Sequence, residues 1–573
     1  MELGEKNKPN KFLEISSLLI LIFAFFSPRI FHLRSFMDVD ETIWLMRSAN
    51  FYYALGQKDT VHTNQRNTPG VISMWAGTIG FLIEFPEYRG HGQGYFSKFS
   101  LFDDFLREHH IDPLDIVEKA RMVLIAILAV VLGFGYWFVR KMVGVVPALI
   151  GFLLIFLDPW FLALSRINHL DAPQAVFQFV SIMALCKYLF FGRRRSFLFI
   201  SGLMGGLAFL ARLPALLTIP AIFLIAGFDF ILNVVRNGVY NRKSIFPWVM
   251  TTTRILIVWL FFFILAILLF WPFAVTHPIQ VFQLMIYHPE RFIADEPVFS
   301  ASHQISNDLL SFTWMFRYIN NFLWNTTPVI IAGMIMALIA FLYKLGDLRS
   351  PKVRNLIYSI VVFSAVYTIA MTLPTKWSPR YYLPVHLFAD FISGLGWVVG
   401  LKIIAEKWLK TRAQIATSLI LFVVFSFHII DIAPSYPYYF PYFNPLMGGS
   451  ERAVQSQFIG RGEGLDLAAA YLNSKPDSSD LNVMAWYGYG PFSFFFNGTT
   501  KHLPVAATWD YIDTQRLFDE IDYLVTYSNQ WARHEPEGLF LLIEAIAPEH
   551  SIWINEIEYA RIYKVSDIIE GNE

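Results

Sequence analysis

The sequence predicts an α-helical polytopic membrane protein of about eleven transmembrane helices, its N-terminus inside, with a small C-terminal α/β domain on the outer face. Three observations predict it. The 573 residues are 55% hydrophobic and only 16% charged, against about 25% charged in soluble domains. The mean hydropathy is +0.45. Apolar runs recur at or near the length of about 20 residues that crosses a bilayer. The 17% aromatic content suits lipid-facing surfaces and interface belts. Zero formal net charge argues against a nucleic-acid partner. The single cysteine, Cys186, excludes an intrachain disulfide and a cysteine-based zinc site.

The expected spans are 12–33, 118–139, 143–160, 172–191, 196–211, 213–234, 250–273, 328–344, 355–373, 383–403 and 415–432. The lysines before 12 resemble the start of a signal peptide, but the run lacks a small-residue cleavage site and reads as an uncleaved span. With the N-terminus inside, basic loops such as Arg140-Lys141, Arg193-Arg194-Arg195 and Lys402 to Arg412 fall inside, as the positive-inside rule requires. Lys376 and Arg380 break the rule and fall outside. Proline at Arg212-Leu213-Pro214 breaks the 196–234 stretch into a hairpin.

The chain divides into a transmembrane module, 1–432, and a C-terminal domain, 433–573. Within the module, 34–117 is a first outer loop and 274–327 a long one. Two helices of the first loop, 68–84 and 98–116, read as interfacial, because the former is apolar but short and the latter alternates apolar and charged residues. The band YPYYFPYFNPLMGG after the last span reads as an aromatic collar at the membrane interface. Beyond it, GEGLDLAAAYL and GLFLLIEAIA read as helices, and LNVMAWYGYG, YLVTYS and YARIYKV as strands.

The outer loops collect the unusual polar groups. Asp38, Asp40 and Glu41 follow the first span; Arg166, Asn168, His169 and Asp171 stand in SRINHLDAP; Arg212, His277, Lys376 and Arg380 complete the set. Carboxylates are costly in hydrocarbon, so this group sits at a surface or in a wet cavity. Carboxylates beside cations at one membrane face suit an anionic lipid carrier and a neutral nucleophile. Simpler readings stand beside the functional ones. Asp171 before Ala172-Pro173 can cap a helix, Arg380 can snorkel to the interface, and Arg212 can anchor there. The histidines show no tight metal-ligand spacing, so no metal site is assigned; no cofactor is certain and a divalent metal stays open.

These residues resemble a known family. Asp40-Glu41 just after the first span, Asp171 in the second outer loop, and Arg380-Tyr381 with Pro384 after a late span resemble the GT-C glycosyltransferases, in the branch of the protein O-mannosyltransferases (glycosyltransferase family 39) and the lipid A aminoarabinose transferase. YPYYFPYFNPLMGG followed by GRGEGLDLAAAYL resembles the tail of prokaryotic members. The sequence departs from the family at Asn67-Thr68-Pro69-Gly70, where many members carry a His-Pro element, and it has no room for a β-trefoil domain.

The resemblance implies an inverting hexosyltransferase, in the mannosyltransferase branch, that moves a sugar from a polyprenyl-phosphate carrier to an acceptor hydroxyl of a protein or glycolipid. Under it Asp40 is the general base. Glu41 orients Asp40 or binds sugar hydroxyls, and Asp171 orients the acceptor or shares a hydrogen-bond network. Arg380, Lys376, Arg212 and Tyr381 are the candidates for the lipid phosphate, and His169 and His277 for acceptor or sugar contacts. The competing readings are a polytopic transporter or lipid flippase and a non-catalytic membrane receptor. Clustering of charge at span ends and the lack of an internal repeat favour the enzyme.

The topology is checked by labelling with a membrane-impermeant thiol reagent. Asp40→Cys is expected to react from outside and Arg194→Cys is not; the reverse pattern overturns the arrangement.

Overall fold

The structure is a computed structural model that describes residues 11–66, 68–236, 242–294, 312–374, 377–408, 413–503, 518–532 and 536–572. Each of the eleven expected spans coincides with a helix. Among the described residues, eight helices are long and apolar enough to cross a membrane. Two further pairs are bent: Val145–Leu157 with Pro159–Ser165 by 63°, and Phe316–Asn325 with Pro328–Leu342 by 119°. Counting each pair as one span gives ten. The expected span at 196–211 falls short of the count. Arg195–Ala211 has 17 residues, about 25 Å at 1.5 Å per residue. It instead packs closely on Ile245–Phe270: a Cβ on Gly206 would lie 2.3 Å from the Phe263 carbonyl oxygen, so the two backbones meet across a small-residue stripe.

The first loop is folded. Asp38 has extended φ/ψ and accepts a hydrogen bond from the Asp40 amide, which starts the helix Val39–Gln57. This is N-capping, with the side-chain oxygen satisfying an orphan amide. The helix Val71–Glu84 spends its apolar face on protein, packed between Val39–Gln57 and Pro113–Val143. The single interfacial helix expected at 98–116 is two elements. Phe99–Glu108 ends before Asp112, which caps the next helix with Pro113 in its first turn. The described residues of the long loop at 274–327 are mostly helical, with Pro278–Ala294 and Phe312–Asn325.

The aromatic band is not an exposed collar. Tyr438, Tyr439, Phe440, Tyr442 and Phe443 are all buried. Phe440 meets Trp160 edge to face, and the Tyr438 hydroxyl donates to Asp466 at 2.9 Å. The band therefore ties the span helices to the C-terminal segment.

That segment carries one five-stranded sheet, order β2-β1-β3-β5-β4, from Asn482–Ala485, Thr499–His502, Tyr523–Tyr527, His550–Ile554 and Ile557–Lys564. β1 runs parallel to β2 and β3, while β5 runs antiparallel to β3 and β4. The α/β character read from the sequence is thus present. β3 is buried at every position, which explains why its residues are apolar or aromatic at all but Thr526.

A buried ion pair sets the position of the first loop. Glu41 and Arg121 are 1% and 2% exposed. Arg121 Nε donates to Glu41 at 2.8 Å, its Nη2 makes a second bond to the same carboxylate, and it also donates to the carbonyls of Leu33 and Phe36. Glu41 further accepts the amide of Asn168 at 2.6 Å. One carboxylate thus joins the first loop, the helix Pro113–Val143 and the turn that carries His169. Removing one partner strands a buried charge at a cost of about 3–5 kcal/mol, whereas an apolar pair often costs far less. Arg121→Met is expected to lower the unfolding temperature in detergent more than Glu41→Leu/Arg121→Met. Equal loss in both contradicts this account.

Candidate functional site

Four segments converge beyond the start of Val39–Gln57. The first supplies Asp38 and Asp40. The turn between Pro159–Ser165 and Asp171–Phe190 supplies His169 and Asp171. The breaks at Arg212 and at Ser378–Tyr382 supply two arginines and a tyrosine. Of the residues expected from the sequence, Asp40, Asp171, His169, Arg212, Arg380 and Tyr381 form one contact set.

Asp40 is the accessible carboxylate of the set, 38% exposed, and its Oδ2 is paired with Arg380 Nη1. His169 Nε2 lies 3.7 Å and Arg461 Nη2 3.4 Å from the same oxygen. Asp171 is 2% exposed; it pairs with Arg212, stands 2.9 Å from His169 Nδ1 and 3.6 Å from Arg380 Nε. The Arg212 guanidinium lies 4.0 Å over the Tyr381 ring, a cation–π contact. Arg380 thus touches both carboxylates, and His169 stands between them.

The simpler readings of three residues do not describe these contacts. Asp171 is the first residue of its helix, the cap position is Leu170, and no side-chain cap bond forms. Arg212 is buried rather than anchored at a surface, and the Arg380 side chain is only 13% exposed. Glu41 lies apart from the cluster, spent on Arg121. His277 stacks on Phe273 and meets Thr276, which binds Thr60, so its contacts lie elsewhere. Lys376 lies outside the described residues.

Charge distribution explains the protonation states. Burial works against ionisation of Asp40, yet Arg380 first, then His169 and Arg461, outweigh it and hold the carboxyl well below the usual range. Burial pushes His169 down to about 4 despite its carboxylate neighbours. The imidazole is therefore neutral near pH 7, and Asp40 is ionised.

One member was not legible as a site residue. Arg461 enters from Gly460-Arg461-Gly462-Glu463-Gly464, before the sheet. Its Nε and Nη2 donate to the two oxygens of Asp38 at 2.7 and 3.0 Å, a bidentate pair. Its carbonyl accepts the Val39 amide at 3.1 Å. Gly462 has φ +117, and a Cβ there would lie 2.3 Å from the Met37 carbonyl oxygen; only glycine allows this approach. An arginine set among alternating glycines was the available signal. Asp38, fully buried, is consumed by Arg461 and by its capping role, which leaves Asp40 as the reachable acid.

Asp38, Asp40 and His169 also place potential metal-ligand atoms within 4.8 Å of one another. Two carboxylates and an imidazole suit a divalent ion in kind. The same oxygens already face the guanidinium groups of Arg380 and Arg461, which balance their charge. The arrangement does not fit an ion unless both arginines withdraw, so no step below uses one.

Beside the cluster is a narrow cavity of about 30 Å³, lined by Arg380, Arg461, Trp160, Asn321, Phe440 and Glu463 among others. Burial raises the Glu463 carboxyl, and its contact with the Arg461 amide only partly offsets this.

No protein-family model and no curated protein matches the chain. Among solved structures it is similar to ArnT from Cupriavidus metallidurans bound to undecaprenyl phosphate, at 12% identity and a TM-score of 0.46, over 96% of this chain and 98% of that one. It is also similar to the archaeal oligosaccharyltransferase AglB from Archaeoglobus fulgidus in complex with an inhibitory peptide and a dolichol-phosphate, at 15% identity and a TM-score of 0.43, over 94% of this chain and 72% of that one.

Proposed function

We propose that the protein is an inverting membrane glycosyltransferase that moves a sugar from a polyprenyl-phosphate carrier to an acceptor hydroxyl, with Asp40 as general base. The observation that carries the reading is the pairing of a part-exposed Asp40 with Arg380, beside a second buried pair, Asp171 with Arg212. The cluster therefore holds both a base and the cations that a leaving phosphate needs. The site and the C-terminal domain are assigned to the extracytoplasmic or lumenal face, following the distribution of basic loops.

The chemistry follows from these roles. The acceptor oxygen attacks the anomeric carbon as the bond from that carbon to the carrier phosphate breaks. A single displacement inverts the centre. The hydroxyl proton passes to Asp40, and the bonding pair leaves with the phosphate. Arg380, with Arg212 behind it, stabilises that charge in a partly dry site, where such interactions are strongest. A hydroxyl is a poor nucleophile at neutral pH, and a carboxylate within reach contributes about 10²–10⁴ in rate.

In the unliganded pairing Asp40 is a weak base, because Arg380 holds its proton affinity down. A carrier phosphate competes for the same guanidinium. Its arrival draws Arg380 off and raises the basicity of Asp40, so the base is activated only when the donor is in place. Neutral His169 has a single N–H to give; its Nδ1 faces Asp171 at 2.9 Å and its Nε2 stands 3.7 Å from Asp40, so it spaces the two carboxylates without adding charge.

One feature favours a transporter instead. The two bent spans meet at His428, which contacts Thr327 at 3.1 Å and the Leu157 carbonyl at 3.1 Å, and broken helices often line transport sites. Here His428 closes the broken backbone, a structural use that needs no cargo. Both readings are separated by incubating the purified protein with a radiolabelled polyprenyl-phosphate sugar and an acceptor fraction and measuring released polyprenyl phosphate. Wild type is expected to release it, Asp40→Asn to lose about 10²–10⁴ in kcat, and Arg380→Ala to weaken donor binding. Unchanged turnover in Asp40→Asn sinks the base assignment, and no release by wild type favours transport.

A further inference from the structure

The narrow cavity beside Arg380 has a neighbour. Gln457, Phe458 and Ile459 line it and also line a second cavity of about 400 Å³. This second space lies against the sheet of the C-terminal segment. Its volume is within the range of about 300–1,000 Å³ typical of small-ligand sites.

The lining combines exposed aromatic faces with fixed polar groups. Trp553 is 61% exposed. It sits where the pairing of β4 with β5 shifts register, between Ile552 and Trp553, and such irregularities re-aim a side chain. Asn555 and Glu556, both at positive φ, make the tight turn that follows, which places Glu556 at the same rim. Trp531 is locked by its indole N–H, which donates to Thr526 at 2.9 Å. Arg561 lies 4.1 Å over the Trp531 ring and donates twice to Glu558, at 3.1 and 2.7 Å.

Among the described residues that line the groove, one buried polar side-chain atom lacks a partner. Asn529 lines the groove and is 2% exposed. Its amide N–H₂ donates to Tyr487 at 2.7 Å and to the Gly460 carbonyl at 3.3 Å. Its Oδ1 has no hydrogen-bond partner among the described residues. A buried acceptor is costly to leave unmade, so a ligand donor that reaches Oδ1 is favoured.

We infer that this groove seats the saccharide portion of the acceptor and delivers its hydroxyl toward Asp40. The inference rests on the transferase reading above and names the acceptor class that reading left open. A sugar ring presents an apolar C–H face suited to an indole and a rim of hydroxyls that both donate and accept. Trp553 offers the face, Asn529 Oδ1 accepts a hydroxyl, and Glu556 with the Arg561–Glu558 pair borders the polar edge. The Gly460-Arg461 segment joins the groove to the cluster, since Asn529 holds Gly460 and Arg461 holds Asp38.

The test uses the full chain in detergent on an array of mannose-, glucose- and N-acetylhexosamine-terminated oligosaccharides, beside an array of hydroxyl-bearing peptides. Wild type is expected to bind glycans, and Trp553→Ala, at an exposed position that leaves the unfolding temperature in place, to bind them at least 10-fold more weakly, with Trp553→Phe intermediate. No glycan binding by wild type, or binding unchanged in Trp553→Ala, overturns the inference. Binding of peptides in place of glycans also overturns it, in favour of a strand added to the β4 edge. Donor turnover is measured separately in wild type: its absence alongside Trp553-dependent glycan binding defeats the transferase reading and leaves a saccharide-binding groove.

Discussion

The structure depends on balancing buried charge where four loops of the membrane module meet the C-terminal segment. Asp38, Asp40 and Asp171 face Arg461, Arg380 and Arg212, one guanidinium for each carboxylate. Left unpaired, any of these groups is expensive away from water. Pairing solves the cost, and it also fixes geometry, because each pair joins segments far apart in sequence. Arg461 holds the first loop from more than 420 residues away, and Arg380 from 340. The loops are therefore not free to wander, and the C-terminal segment is part of the site.

The same balance gives the site a way to respond. Two of the pairs are deeply buried at one or both members, whereas Asp40 remains reachable. A ligand that brings its own negative charge meets Arg380 first and competes with a carboxylate the arginine already holds. Glu41 shows the contrast: adjacent in sequence, it is sealed on Arg121 and on the Asn168 amide, and it keeps the frame while Asp40 stays available. Proximity in sequence to a catalytic candidate is no guide to role when successive helix positions point about 100° apart.

Much of this was legible in the chain. Long apolar runs coincided with helices, the cost of charge in hydrocarbon marked the outer-loop polar groups, the broken positive-inside rule marked Arg380, and the family resemblance separated Asp40 from Asp38. The period of the hydrophobic pattern also located two of the helices and three of the strands after 450. What stayed hidden was long-range. Arg461 stands in a stretch of soluble composition, and nothing local says which carboxylate an arginine will meet. Its glycine neighbours were the only trace. The aromatic band at 436–443 was read as an interface collar because tyrosines favour both membrane interfaces and buried seams; composition cannot tell these apart, and the partners Trp160 and Asp466 decide it. The helix Val71–Glu84 was ambiguous for the same reason, since an apolar face serves lipid or protein equally.

The central claim is that a carrier phosphate takes Arg380 from Asp40 and so frees the base. The most direct measurement is an experimental structure of the protein with bound polyprenyl phosphate. The account predicts the phosphate within hydrogen-bond distance of the Arg380 guanidinium, with Asp40 released and turned toward the cavity that leads to Gln457. A structure in which the phosphate binds elsewhere while Arg380 still holds Asp40 contradicts it.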